Sequence, residues 1–315
     1  MDSVFRGSQA SLAVNMTVSR RRDVIIVHRY ANAELGVAMN GLALAGAAVA
    51  ITGGARGIGY ATASAFIDEG ARVFIGDLDA DLAKTAADEL GCHGVGLDVR
   101  SRESFAGFLA GVEGPLKVLV NNAGIMPAGR FVDESDAVTD SIVDVNLNGV
   151  LRGTKLVLPG MLERQSGHIV NVASYLGVVP AAGLATYCAT KHAVVGFSES
   201  LRDELAGTGV SVTAVLPSAV RTDLVSGVKL GGVLPTVDPG EIAEAVVASC
   251  QSRPAIVAVP GWMRSYEAAA AVIPDRLLGA VRGRLTRHRV LHALDTDARA
   301  AYDARIRRDA EASGN

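Results

Sequence analysis

A phenol and an ammonium stand four residues apart in Tyr187-Cys188-Ala189-Thr190-Lys191. At i and i+4 they share one face of a helix and can act as a pair. A free tyrosine ionises at a pH of about 10, too high for a base near neutrality, and a neighbouring cation favours the phenolate. Such a pair can move a proton. On an exposed helix the same two residues would be commonplace, so the surrounding sequence decides their meaning. Upstream, Ser174 closes the apolar run Val170-Asn171-Val172-Ala173, and Asn146 falls inside a long helical pattern, an expensive place for a buried amide unless its groups are satisfied. A second kind of chemistry is signalled by Thr52-Gly53-Gly54-Ala55-Arg56-Gly57-Ile58-Gly59, a glycine turn between an apolar run and a helical pattern. A pyrophosphate needs close approach to backbone N–H groups at a helix N-terminus, and glycines permit it. The next apolar run ends at Asp77, where an acidic residue can accept ribose hydroxyls.

The elements that must position these groups alternate. Strands are predicted at Ala48–Thr52, Arg72–Asp77, Val95–Asp98, Val118–Asn121, His168–Val172, Ser211–Leu216 and Ile256–Val259, several of them uninterrupted apolar runs, as strands buried on both faces should be. Helices are predicted at Ile58–Glu69, Leu78–Leu90, Ser101–Gly111, Ser135–Met161, Tyr187–Leu205 and Pro239–Gln251. This is the pattern of an α/β fold, doubly wound around a mainly parallel seven-stranded sheet.

Composition narrows the classes. With 49% apolar and 20% charged residues the 315-residue chain can build a large core. A net charge of -3 gives no field for nucleic acid or anionic lipid. Cys92, Cys188 and Cys250 lie far apart, without a CxxC pair, which fits a reducing cytoplasm. The uncharged stretch Leu35 to Thr52 has the length of a membrane span, but it contains Asn40 and three glycines and runs into the glycine turn, so no transmembrane segment is expected. His288 and His292 share a helical spacing without a third ligand, and no metal site is expected. Ser174 lacks a G-x-S-x-G elbow, and the glycine turn lacks the Gly-Lys-Ser/Thr of a P-loop.

The glycine turn does not have G-x-G-x-x-G spacing, because position 62 is Thr. T-G-x-x-x-G-x-G, with Asn121-Asn122-Ala123-Gly124 and Tyr187-x-x-x-Lys191, resembles the short-chain dehydrogenase/reductase family over residues 40 to 260. The resemblance implies a single Rossmann-like catalytic domain and an oxidoreductase. It would transfer hydride between NAD(P) and a CH–OH carbon, with Tyr187 as general acid/base. Ser174, at the family's separation from the tyrosine, would hold the substrate oxygen. Asn146 would bend its helix and anchor a water leading from Lys191 to solvent. The resemblance further assigns the cofactor to Gly53, Arg56, Gly57, Ile58 and Gly59, to Asp77, to Asp98 and Val99 at the end of the third strand, and to Asn122, Ala123 and Gly124. Tyr187, Lys191, Pro217, Val220 and Thr222 complete that set. Asn122 would brace two strands. Ser218 stands where the family's P-G-x-V-x-T segment has glycine. Asp77 favours NAD, whereas Arg56 in the glycine turn is a sign of NADP. The family's habit of pairing through the tyrosine helix implies a homodimer or homotetramer. A dinucleotide-sensing or scaffold protein is the alternative, but such relatives usually lose the Tyr/Lys pair.

Tyr175 to Leu184 carries no charge, Met126 and Pro127 are placed opposite, and the segment Asp223 to Asp238 has Lys229 as its sole basic residue. A mobile apolar lid and a lipophilic alcohol or ketone substrate are therefore expected. Residues 1–40 fall outside the alternation and are expected to be an appended arm, with Met39 a candidate natural start. Residues 261–315 form a helical, arginine-rich extension with Arg282, Arg284, Arg287, Arg289, Arg299, Arg305, Arg307 and Arg308. These arginines are expected on a solvated face, or against an anionic membrane surface or a neighbouring subunit.

Overall fold

A computed structural model describes residues 17–21, 24–28, 41–228, 235–264, 291 and 293–313. Two compact units divide at Ala38 and Met39. In the first, β1 (Thr17–Arg21) and β2 (Val24–His28) form an antiparallel pair.

The second unit is built around seven parallel strands: β3 (Ala48–Thr52), β4 (Arg72–Asp77), β5 (His93–Gly96), β6 (Leu116–Asn121), β7 (Gly167–Val172), β8 (Val210–Pro217) and β11 (Ile256–Val259). Their spatial order is β5-β4-β3-β6-β7-β8-β11. The chain runs outward from β3 in one direction and from β6 in the other, so the order reverses between them, and open sheets of this kind bind ligands at that point beyond the carboxyl ends of the strands. A two-residue parallel pair, β9 (Ala219–Val220) with β10 (Thr236–Val237), lies beyond β8.

Alternate residues of the central strands face opposite layers. Val49, Ile51, Val73, Ile75, Val118 and Val170 pack with Ala63 and Phe66 of α1 (Gly57–Asp68), the alanines of α2 (Ala80–Leu90), and Ile242 and Val246 of α7 (Pro239–Ser252). Ala48, Ala50, Leu119, Ile169 and Val212 pack on the other side. Their partners are Phe105 and Phe108 of α3 (Arg102–Ala110), Val157 and Met161 of α5 (Gly149–Glu163), and Leu201 of α6 (Ala185–Glu204). Each fully buried Val, Leu, Ile, Phe or Met among them contributes roughly 1.5–3 kcal/mol of transfer free energy, and each alanine less. That burial on both faces is why these strands read as continuous apolar runs.

Two predicted elements change. The third strand ends at Gly96 rather than at Asp98, so Asp98 and Val99 lie in the following loop. The helix predicted from Ser135 to Met161 is α4 (Asp136–Val143), a π-turn at Asp144–Asn148, and α5. Asn146 sits in the π-turn with no exposed surface. Its Oδ1 accepts the Ile125 N–H at 2.8 Å and its Nδ2 donates to the Ile125 carbonyl at 2.8 Å. The amide is satisfied by a neighbouring loop, and the helix widens by one residue to present it.

At the far end of the chain α8 (Thr296–Ser313) packs against α4. Arg307 and Arg308 are exposed there, but Arg299 has no exposed surface, which corrects the solvated-face expectation for that residue. Arg282, Arg284, Arg287, Arg289, His288, His292, Lys229 and Met39 lie outside the described residues. Among the described residues no helix is long and apolar enough to cross a membrane, and no cluster of side chains could hold a metal ion.

Candidate active site

The carboxyl ends of β3, β4, β6, β7 and β8 open into one cavity of about 950 Å³. Gly53, Arg56, Gly57 and Ile58 line it from the glycine turn, with Asp77, Asp98, Val99, Asn122, Ala123 and Gly124 from the strand ends that follow. Ser174, Tyr187, Lys191, Pro217, Val220 and Thr222 line its other side. Gly59 and Asn146, also singled out in the sequence, stand behind these walls.

The glycine turn is shaped by close approach. Gly53 has φ +64°, and a Cβ there would stand 2.9 Å from Ala123 Cα; a Cβ on Gly59 would stand 2.0 Å from the Gly53 carbonyl oxygen. Asn122 fixes the turn to β6. Its Nδ2 donates to the carbonyls of Thr52 and Gly53, both at 2.9 Å, while Thr52 Oγ1 accepts the backbone N–H groups of Asn122 and Ala123, both at 3.0 Å. The result is a bare helix N-terminus facing the cavity, a backbone suited to a dinucleotide's phosphates.

Acidic and basic groups sit around the turn. Asp77 accepts the Ala55 N–H at 3.3 Å and the Asp79 N–H at 3.3 Å. Arg56 stands 3.7 Å from Asp79 and 4.0 Å from Asp223, so two carboxylates share its charge. Burial pushes the Asp98 carboxyl up, but hydrogen bonds and charge from Arg100 outweigh it and hold the group below its ordinary range. The pair is close, with Arg100 Nη2 donating to Asp98 Oδ2 at 2.8 Å.

On the other side, Ser174 follows β7 in extended backbone, and Tyr187 and Lys191 project from the first turns of α6. Lys191 Nζ lies 5.7 Å from the centre of the Tyr187 ring and donates to the Val172 carbonyl at 2.9 Å. Burial raises the Tyr187 pKa, and a hydrogen bond with Ser174 opposes it only in part. Lys191 is pulled down to about 8 by the same loss of solvent. Burial thus opposes both charged forms. A Cβ on Gly124 would lie 3.3 Å from Asn146 Oδ1 and 3.7 Å from Lys191 Nζ, so both groups crowd one glycine.

Ser218, in place of glycine, needs no left-handed backbone: it is absent from the positive-φ positions, its N–H donates to Val259, and its hydroxyl donates to Pro235 at 2.6 Å. The segment beyond it reaches Gly57, where a Cβ would stand 3.1 Å from Thr222 Cγ2.

Sequence reasoning missed the far wall. Tyr302, Arg305, Ile306 and Asp309 of α8 line the same cavity, with Trp262 and Met263. Arg299 donates to the carbonyls of Leu224, Ser226 and Met126 and pairs with Asp303 at 3.1 Å. Farther along, Arg100 Nη1 donates to the Asp309 carbonyl at 3.0 Å, so the helix spans from the segment after β9 to the loop after β5. One signal was available. Arg299, Tyr302, Ile306 and Ala310 are spaced as one helical face, and all four are buried.

A family model described as short chain dehydrogenase matches residues 47–230. The chain belongs to the short-chain dehydrogenase family, and it has that family's Rossmann-like α/β fold. It is 41% identical over 191 residues to the monensin polyketide synthase putative ketoacyl reductase of Streptomyces virginiae, covering 58% of this chain and 73% of the relative. It is 38% identical over 193 residues to the 2,5-dichloro-2,5-cyclohexadiene-1,4-diol dehydrogenase LinX of Sphingobium indicum, covering 59% and 77%. The probable oxidoreductase EphD of Mycobacterium tuberculosis is 32% identical over 266 residues, 75% of this chain, and the chain spans less than half of that relative, 45%. The crystal structure of gox2181 superposes with a TM-score of 0.61 at 30% identity, covering 66% of this chain and 90% of that one.

Proposed function

We propose that this chain is an NAD-dependent dehydrogenase or reductase acting on a lipophilic secondary alcohol or the matching ketone, with Tyr187 as general acid and base. One observation carries the proposal: Ser174, Tyr187 and Lys191 line the same cavity as the glycine turn and Asp77. The residues present suit a dinucleotide, because the turn is free of side chains where phosphates would lie. Gly53, Arg56, Gly57 and Ile58 would hold the pyrophosphate, Asp77 the adenosine ribose, Asp98 and Val99 the adenine, and Asn122, Ala123, Gly124, Pro217, Val220 and Thr222 the remainder. Bound nicotinamide supplies the hydride acceptor or donor.

The protein's own work is orientation and proton transfer. Tyr187 Oη takes the hydroxyl proton in oxidation and returns it in reduction, while the Ser174 hydroxyl holds the same oxygen. Because burial opposes the phenolate, positive charge close to Tyr187 is what makes it a base near neutrality. Asn146 would anchor a water that links Lys191 to solvent, a reading supported by the closeness of both groups to Gly124.

Asp77, and the sharing of Arg56 between Asp79 and Asp223, favour NAD over NADP, since a 2′-phosphate would meet three carboxylates and a partly neutralised arginine. Met126, Leu184, Leu224, Val225 and Val228 pack around Tyr187 and support an apolar substrate. A cytoplasmic catalytic domain over residues 41–260, assembling through its tyrosine helix, completes the proposal. The test is turnover of a secondary-alcohol panel by purified protein with NAD and, separately, with NADP. Turnover with NAD is expected; NADP preference would overturn the cofactor choice, and preference for polyanionic substrates the substrate choice.

A further inference from the structure

The family match ends at residue 230, yet the substrate side of the cavity is closed by a helix that begins at Thr296. Tyr302 of that helix lines the cavity. It is 8% exposed, and its hydroxyl oxygen accepts the Met126 N–H at 2.9 Å. Met126 packs against Tyr187 in turn. Among the described residues the Tyr302 hydroxyl has no acceptor for its own proton. A buried donor left without an acceptor is costly, and here the donor lines the cavity that holds the proton-transfer groups. Two guanidiniums, Arg299 and Arg305, lie 4.7 and 5.4 Å from the centre of its ring, and their positive charge strengthens the phenol as a donor.

We propose that Tyr302 is a specificity-determining residue whose hydroxyl donates a hydrogen bond to a second oxygen on the substrate, so that the preferred substrates are diols or hydroxyketones rather than simple alcohols. This rests on the reading of the site as an alcohol/ketone oxidoreductase. The oxygen at Ser174 and Tyr187 undergoes the reaction, and the other, held by Tyr302, fixes which carbon is presented. Ile306, buried a turn further along, forms the apolar wall beside it.

The test compares cyclohexanol with the isomeric cyclohexanediols in full-length wild type, Tyr302→Phe and Ile306→Ala. Wild type should prefer one diol isomer in kcat/KM. Tyr302→Phe keeps the ring and should cut that preference about fivefold through the diol KM, with kcat for cyclohexanol and cofactor affinity within about twofold. Ile306→Ala should lower both substrates together and keep their ratio. An unchanged ratio in Tyr302→Phe, or an equal loss of it in Ile306→Ala, would overturn the inference while leaving the dehydrogenase reading intact. A wild type that oxidises none of these alcohols and reduces none of the corresponding ketones would overturn both.

Discussion

The two halves of the cavity are built on different principles. The cofactor side is local: a glycine turn, and strand ends that arrive in chain order at one edge of the sheet, joined by hydrogen bonds between the Asn122 and Thr52 side chains and the backbone of the facing segment. The substrate side is assembled from segments far apart in sequence, Met126, the segment from Asp223 and α8, and one buried guanidinium holds them together. The first half is rigid because its glycines leave no slack. The second depends on a few long-range polar contacts of α8, in which the Arg299 clamp is joined by Tyr302 with Met126 and Arg100 with Asp309.

Tyr187, where the two halves meet, gives the largest expected effect. Tyr187→Phe should lower kcat by about 10²–10⁴-fold while cofactor affinity, read by fluorescence titration, stays within about twofold. Retained turnover would remove the tyrosine from proton transfer. Gly59→Ala tests the rigid half. Its new Cβ would stand 2.0 Å from the Gly53 carbonyl, so the turn must shift. A displacement of that order should cost about 10²-fold in kcat/KM, accompanied by weaker cofactor binding.

Arg299→Ala tests the clamped half. Three carbonyls and Asp303 lose a buried partner, which should cost about 3 kcal/mol, or an unfolding midpoint lower by about 10 °C. The substrate KM should rise while cofactor affinity holds. A parallel loss of cofactor affinity would show that the halves are not separable.

A smaller effect concerns the frame beneath both halves. His168 of β7 is buried between Ser211 and Ser249, and burial brings its pKa down to about 3. The unfolded chain binds this proton at about pH 6.5 and the folded chain only near 3. Between those values the unfolded state holds more protons, so stability rises with pH, by at most about 1.4 kcal/mol per unit. His168→Gln should flatten that slope in denaturant titrations at successive pH values.

What was legible in the sequence follows the same division. The strands β3, β4 and β11 have the predicted limits; in β3 and β4 this follows from apolar runs buried on both faces, and in the edge strand β11 from its short apolar run Ile256–Val259. β5 begins at His93 rather than Val95 and ends at Gly96, because an edge strand with two glycines has no apolar pattern to mark it. The break at Asn146 was implied by the family resemblance and not by the helical pattern. The flanking helices keep their period, and only the contact of its amide with Ile125 reveals the π-turn.

By itself the sequence determined the α/β class, the order of the elements, the glycine turn and the residues able to move a proton, since each follows from short-range spacing and the burial pattern of single elements. Tertiary structure decided that Arg299 is buried rather than solvated, that Tyr302 lines the same cavity as Ser174 and Tyr187, and that burial opposes ionisation of both Tyr187 and Lys191. The reason is physical. Solvation and long-range contact depend on which distant segment covers a side chain, and that information resides in the packing rather than in the neighbours along the chain.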